Sequence, residues 1–169
     1  MNPEQWEAYM DQALDLARQA SELGEIPVGA LVVKEGQIIG RGFNRRETDA
    51  DATAHAELLA IRQACQTLGN WRLTGCTLFV TLEPCPMCTG AILQSRLSQV
   101  VFGAFDPRAG CCGSFLALTE EDFECHPALY GGVKEQECLA LMQDFFARRR
   151  EQEKKTPGRM KYFLHFILL

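Results

Sequence analysis

The sequence predicts an α/β fold, a three-layer sandwich in which a mixed five-stranded sheet carries helices on both faces. Two observations predict it. A β-rich run over residues 27–33 continues through Lys34-Glu35-Gly36 into residues 37–43, which is the pattern of a hairpin. After this hairpin, short apolar runs alternate with longer segments of helical period, and that alternation is typical of layered α/β domains.

The first half of the chain supplies a helix, the hairpin and a second helix. Apolar residues spaced at a helical period predict a first helix over residues 6–23, which Gly24 ends. A polar loop over residues 44–53 follows the hairpin. The second helix is predicted over residues 54–68, and Gly69 ends it.

The second half contains the predicted centre of the sheet. Residues 76–82 are apolar almost throughout, as in a central strand that is covered on both faces. Pro84 and Pro86 exclude a strand interior but suit a loop and the first turn of a helix, which runs to about Leu97. The remaining elements are a strand over 99–104, a glycine-containing loop over 106–113, a weak fifth strand near 128–133 and a helix over 135–150.

Length and composition are those of one globular domain. Of 169 residues, 47% are hydrophobic and 23% charged, which is the composition of a chain that buries a core. We expect residues 1–150 to form the domain and residues 151–169 to form a tail, first basic and then apolar. No apolar run approaches the ~20 residues needed to cross a bilayer, and the N-terminus lacks a signal-peptide pattern. We therefore expect a cytoplasmic protein with no membrane partner.

The charge distribution is uneven. A net charge of −5 argues against indiscriminate nucleic-acid binding, which a basic surface drives. In residues 148–161, however, basic side chains outnumber acidic ones. Such a run is usually a solvated face, but a local basic patch would be enough to hold one structured RNA.

Two short motifs bring together the residue types of a catalytic metal site. His55-Ala56-Glu57 opens the second helix, and Pro84-Cys85-Pro86-Met87-Cys88 follows the third strand. One histidine and two cysteines are the usual ligand number for a catalytic zinc with a fourth position open for water, whereas structural zinc has four ligands. Each motif opens a helix that follows a strand or its loop. We therefore expect the motifs to converge at one edge of the sheet and to bind one Zn²⁺ per subunit.

Glu57 is the candidate for proton transfer. Two thiolates neutralise zinc and acidify its water less than three histidines would, so an adjacent base is more necessary. Glu57 is placed to take a proton from water, to protonate a ring nitrogen of a nucleobase, and to pass a proton to leaving ammonia. The H-x-E…P-C-x-x-C pattern is an established signature of zinc-dependent base deaminases. The reaction class therefore follows from a match to a known motif.

A resemblance to a known family extends over residues 6–150. The shared features, in order, are Pro27-Val28-Gly29-Ala30, Asn44, His55-Ala56-Glu57, residues 81–88, Gly90-Ala91-Ile92, Gly103-Ala104, Asp106-Pro107 and Phe145-Phe146. The sequence thus resembles the bacterial tRNA-specific adenosine deaminases of the cytidine deaminase-like superfamily. The resemblance implies a zinc-dependent deaminase domain over residues 1–150 with the cytidine deaminase-like fold. It also implies a homodimer that converts adenosine to inosine at the tRNA wobble position, as in an arginine tRNA with an ACG anticodon.

The resemblance also implies roles for individual residues. His55, Cys85 and Cys88 would be the zinc ligands, and Glu57 would be the catalytic residue. Five further residues would contact the substrate: Asn44, Asp106, Arg108, Phe146 and Arg149. Asn44 would hydrogen-bond the flipped base, although an asparagine that ends a strand is more often a turn former. In the Phe145-Phe146 pair, we expect one ring to belong to the core.

Two alternative functions remain open on the sequence. A deaminase of a free base or nucleoside, of guanine or cytosine type, would carry the same zinc motif. The acidic charge favours it, as does Glu124, which would repel phosphate where the family pattern has no carboxylate. The basic helix end and the Asp106-Pro107 loop favour RNA. The second alternative is a zinc-stabilised binding module without catalysis, which leaves Glu57 without a role.

Overall fold

Five strands form one mixed sheet in the order β2-β1-β3-β4-β5. They are β1 Gly29–Lys34, β2 Gln37–Phe43, β3 Cys76–Leu82, β4 Gln99–Ala104 and β5 Ala128–Tyr130. Strand β1 pairs antiparallel with β2 and β3, whereas β4 pairs parallel with β3 and β5. This computed structural model describes residues 3–155, so most of the predicted tail lies outside the described residues.

Four helices cover the two faces of the sheet. They are α1 Pro3–Glu22, α2 Ala56–Leu68, α3 Pro86–Gln94 and α4 Glu135–Lys155. Helices α1 and α4 share one core cluster with the sheet, which includes Met10, Leu31, Phe79 and Cys138. Helices α2 and α3 share the other, which includes Ala60, Val32, Leu78 and Ile92. The predicted three-layer sandwich with a mixed five-stranded sheet is confirmed.

Helix α2 lies directly on the backbone of β2, because two glycines leave room for it. A Cβ atom at Gly42 would stand 2.2 Å from the carbonyl oxygen of Ala56, and one at Gly40 would stand 2.2 Å from that of Ala60. Any side chain at either position would push the helix away from the strand. This close approach fixes where α2 begins relative to the end of β2.

The ends of several elements differ from the predicted ones. Helix α3 stops at Gln94, not near Leu97, because Arg96 adopts a left-handed backbone with φ of 60°. Helix α4 continues past Arg150 to Lys155 through residues that are strong helix formers. Among residues 3–155, no helix has both the length and the apolar composition that a bilayer crossing demands.

Candidate active site

The three predicted metal ligands meet where α2 and α3 begin. His55 is the N-cap of α2 with an extended backbone, not a residue of its first turn, and Cys85 is the N-cap of α3. His55 Nδ1 lies 3.7 Å from Cys85 Sγ and 3.5 Å from Cys88 Sγ. All three ligand atoms lie within 4.8 Å of one another. The fold therefore brings both motifs to one point, although they are some thirty residues apart in the chain.

This donor set fits a zinc ion. Tetrahedral bonds of about 2.3 Å to sulfur and about 2.0 Å to nitrogen place the two donor atoms about 3.5 Å apart. The distances from His55 Nδ1 to the two sulfurs agree with that value. Within residues 3–155, no other group of three histidine, cysteine or acidic side chains is arranged to hold a metal.

The two thiols differ in their affinity for a proton. A hydrogen bond from Cys88 lowers the pKa of the Cys85 thiol to about 4, and the hydrogen bond with His55 adds to this effect against the opposing influence of burial. The same bond to Cys85, together with burial, raises the pKa of the Cys88 thiol. The Cys85 thiol therefore loses its proton more readily than the Cys88 thiol, and a bound metal would displace the proton of Cys88.

Glu57 lies buried in the first turn of α2. Burial raises the pKa of its carboxyl group, while a backbone hydrogen bond and the nearby His55 lower it. The residue lines the same cavity as His55 and Cys85. A buried carboxyl group beside metal ligands, with its pKa moved upward, is suited to accept and return protons.

A cavity of roughly 250 Å³ opens at the ligands. Its walls include seven of the predicted site residues: Asn44, His55, Glu57, Cys85, Asp106, Arg108 and Phe146. Cys88 lies fully buried outside this lining. Apolar side chains such as Val28, Leu82 and Met142 complete the walls. A mainly apolar wall with a few polar groups is typical of a site for a small planar ligand.

Asn44 lines this cavity and has an unpaired acceptor atom. The side chain is only 6% exposed, and its Nδ2 group donates to the carbonyl oxygen of Ile26 at 3.3 Å and faces Glu25 Oε2 at 3.5 Å. Both partners are acceptors, so the amide orientation follows from chemistry. Asn44 Oδ1 is buried with no hydrogen-bond partner among the described residues. Buried polar atoms are rarely left unpaired, so a bound ligand is the natural donor.

Glu83 is a buried residue whose role the sequence did not predict. Its carboxylate accepts backbone N–H groups from Asp106, Cys112 and Ser114, each at 3.0 Å. A Cβ atom at Gly110 would stand 2.3 Å from this carboxylate, so the loop can close around it only with glycine there. Glu83 thus holds the loop that carries two of the predicted substrate contacts. The available signal was an acidic residue at the end of an apolar strand.

Glu25 has a similar role for the loop after β2. It is buried, and its Oε1 atom accepts the backbone N–H of Thr48 at 2.6 Å while Oε2 faces the Asn44 amide. The residue therefore fixes both the start of the loop after β2 and the orientation of Asn44. In the sequence, the one feature that could have indicated this role is the position of Glu25 between Gly24 and an apolar run.

The predicted residues of α4 separate into two groups. Phe146 lines the cavity, while Phe145 is buried in the core. The two rings pack edge-on, with centroids 5.4 Å apart. One ring of the pair is thus a core residue, as expected. Arg149 does not line the cavity, since its Nη1 donates to the carbonyl oxygen of Gly24 at 3.2 Å. Its contact with a substrate stays a prediction.

Glu124 forms an ion pair. Its carboxylate accepts a hydrogen bond from the guanidinium group of Arg96. The residue also does not line the cavity. The repulsion of phosphate expected from the sequence is therefore offset by a neighbouring positive charge.

Known proteins resemble this chain in sequence and in fold. Residues 3–104 match the family model described as the cytidine and deoxycytidylate deaminase zinc-binding region. The tRNA-specific adenosine deaminase of Bacillus subtilis (strain 168) is 50% identical over 149 residues, which cover 88% of this chain and 92% of that protein.

Two solved structures share the fold. One, from a study of A-to-I editing by tRNA:A34 deaminases at the wobble position, has a TM-score of 0.76 at 41% identity and covers 79% of this chain and 98% of that one. The other, a guanine deaminase from Nitrosomonas europaea, has a TM-score of 0.68 at 25% identity and covers 83% and 84% of the two chains.

Proposed function

The chain belongs to the family of deaminases that share the cytidine and deoxycytidylate deaminase zinc-binding region, and from this premise we propose that it converts adenosine to inosine at the wobble position of tRNA. One observation carries the proposal. A single cavity contains ligands for zinc, a buried carboxylate and an unpaired acceptor on Asn44. The choice of tRNA over a free base is supported by the higher identity to tRNA adenosine deaminases than to the guanine deaminase.

Glu57 moves the protons of the reaction. His55, Cys85 and Cys88 would hold a zinc ion, which would act as a Lewis acid that makes water nucleophilic near neutral pH. The Glu57 carboxylate accepts a proton from water and donates it to the ring nitrogen next to C6 of adenine. It then takes the proton of the new C6 hydroxyl group and passes it to the departing amino group. A C–O bond forms and a C–N bond breaks, so that water and adenosine give inosine and ammonia.

The remaining cavity residues hold the base. A base that leaves its stack needs new partners, and Asn44 Oδ1 accepts a hydrogen bond from it. Phe146 and Val28 supply apolar surface for the ring. On the loop after β4, Asp106 and Arg108 contact the RNA beside the target, and we place Arg149 at its phosphates outside the cavity.

The substrate tRNA, the cellular location and the oligomeric state can also be proposed. We propose an arginine tRNA with an ACG anticodon as substrate, since this anticodon places adenosine at the wobble position. Eight free cysteines suit the reducing cytoplasm. A homodimer would cover exposed apolar side chains such as Phe115 and Leu116. All the cavity residues lie within residues 1–150, which we propose as the deaminase domain, with 151–169 as its tail.

The test compares substrates directly. The purified full chain is incubated with an ACG-anticodon arginine tRNA and, separately, with adenosine, guanine and cytosine, and inosine and ammonia are measured. We expect inosine in the tRNA at its wobble position and little turnover of the free compounds. Ammonia released only from guanine, or inosine formed only in the free nucleoside, would overturn the choice of tRNA and favour the free-base alternative.

A further inference from the structure

A groove adjoins the catalytic cavity, and the proposed mechanism gives no role to the outer part of its lining. It encloses roughly 310 Å³. The groove shares five lining residues with the cavity: Leu82, Asp106, Arg108, Met142 and Phe146. Its outer part is formed by Phe105, Pro107, Leu139, Gln143 and Arg150. Because one wall is common to both, the groove lies next to the space where we propose that the target base binds.

Phe105 is the exposed aromatic side chain of the outer part. The residue is 43% exposed, although it directly follows a buried strand. Phe102 supports it edge-on, with centroids 5.1 Å apart and an interplanar angle of 88°. The backbone of Gly131 supports it as well, since a Cβ there would stand 2.8 Å from Phe105 Cε1. The ring is therefore held in place by the protein while much of its surface faces the groove and solvent.

The charges of the groove suit a nucleic-acid strand. Arg108 and Arg150 line it together with the Phe105 ring. An exposed aromatic ring in a groove that guanidinium groups also line is a combination by which proteins hold unstacked nucleotides, with stacking for the base and positive charge for the phosphate. Asp106 is the acidic residue of this lining; its Oδ1 accepts the backbone N–H of Arg108 at 3.0 Å and lies 3.8 Å from Arg108 Nε. The positive charge of the groove therefore rests mainly on Arg150.

We propose that Phe105 is a stacking platform for one of the two nucleotides that flank the target adenosine, with Arg150 beside the phosphate of that nucleotide. The inference rests on the proposed function, because it needs a single-stranded RNA whose target base is extruded. Extrusion removes the stacking partner of both neighbours, and a protein ring replaces that partner for one of them. Phe105 is then a residue that binds RNA and not a residue of the chemical step.

The experiment pairs protein variants with altered substrates. Full-chain wild type, Phe105→Ala and Phe105→Trp are assayed on the tRNA transcript and on two transcripts that are abasic at one flanking nucleotide each. Phe105→Ala should raise KM for the intact transcript by roughly 5- to 150-fold, the contribution of one stacked base, with kcat less affected. Phe105→Trp should restore binding. Trp71→Ala is the control, because Trp71 is a 51% exposed aromatic that lines neither the groove nor the cavity.

The abasic transcripts separate stacking from a merely structural effect. For the transcript that lacks the stacked base, wild-type binding should be weaker than for the intact transcript. On that transcript, Phe105→Ala should bind as well as the wild type. The inference would be overturned if Phe105→Ala left KM unchanged, or if its effect on binding added to that of the missing base at both flanking positions. In either case, inosine formation by the wild type would leave the proposed function intact. Absence of inosine with wild type overturns both. A change of oligomeric state in Phe105→Ala would assign the ring to an interface between copies and also overturn the inference.

Discussion

The cavity has two sides that are built in different ways. The proposed catalytic side consists of His55, Glu57 and Cys85, together with the buried Cys88 outside the lining. The proposed recognition side consists of Asn44, Asp106, Arg108 and Phe146. The first is assembled from the starts of two helices within two short motifs, whereas the second comes from two loops and α4. The loops are held by buried carboxylates from elsewhere in the chain, so chemistry and recognition can be damaged separately.

Changing Glu57→Gln should break the catalytic side alone. Glutamine keeps the shape of the side chain but cannot accept and return protons, so kcat should fall by about 10²- to 10⁴-fold. Zinc content should stay at the wild-type level, because Glu57 is not among the three ligands. Inosine formation and metal analysis check the two effects, with the exposed Glu47→Gln as control. Turnover within tenfold of wild type would contradict the proposed mechanism.

Changing Glu83→Ala should damage the recognition side most strongly. Three backbone N–H groups would lose a buried acceptor, and each unsatisfied group costs about 1–3 kcal/mol. We expect a loss of at least about 3 kcal/mol in the free energy of unfolding, measured with urea. A milder Glu83→Gln should raise KM for tRNA while zinc content is kept. Glu121→Ala, at an exposed site, is the control. A wild-type KM in Glu83→Gln would argue against a role in holding the loop.

Changing Gly42→Ala should disturb both sides, because it displaces α2 from β2. The added methyl group meets the Ala56 carbonyl, and such overpacking typically costs about 1–3 kcal/mol. Gly90→Ala is the matched control, since its Cβ has open space within α3 and should stabilise the helix by about 0.5–1 kcal/mol. Thermal unfolding compares the two. Equal stability of both variants would contradict the close approach of α2.

Changing Asn44→Ala should weaken recognition without touching the metal. Loss of the acceptor removes one hydrogen bond to the base, and kcat/KM should fall roughly 5- to 150-fold, the equivalent of about 1–3 kcal/mol. Zinc content checks that the metal site is intact, and the unfolding midpoint measures the separate loss of the hydrogen bond to Ile26. A wild-type kcat/KM would remove Asn44 from the set of base contacts.

The smallest effect is expected from Arg150→Ala. One lost phosphate contact should weaken tRNA binding a few-fold at low salt and reduce the slope of log K against log salt by about 0.7. Binding titrations at several salt concentrations measure this slope. Arg18→Ala is the control, because Arg18 pairs with Asp15 on α1. Identical slopes for Arg150→Ala and wild type would show that Arg150 does not contact a phosphate of the tRNA.

The sequence predicted the catalytic side well because its information is local. His55 and Glu57 are two residues apart, Cys85 and Cys88 are three apart, and strand patterns on either side place them at helix starts. Three strands, β2, β3 and β4, have the predicted bounds. Alternating and continuous apolar runs encode such strands directly.

The recognition side was harder to predict because its contacts are distant in sequence. Glu83 contacts residues 23–31 positions away, and Glu25 contacts Asn44 at a separation of 19. Whether a side chain of α4 faces the cavity depends on how the helix rotates against β4, which separates Phe146 from Arg149. No local pattern specifies these relations.

The central position of β3 has a consequence for amide hydrogen exchange. Its backbone is paired with β1 on one side and β4 on the other, whereas β5 pairs only with β4 and over three residues. Amides of β3 should therefore exchange only when the whole domain opens, and those of β5 through local fluctuations. The metal-binding cysteines follow β3 directly in the chain. They are thus anchored to the segment that opens least often, independently of whether RNA is bound.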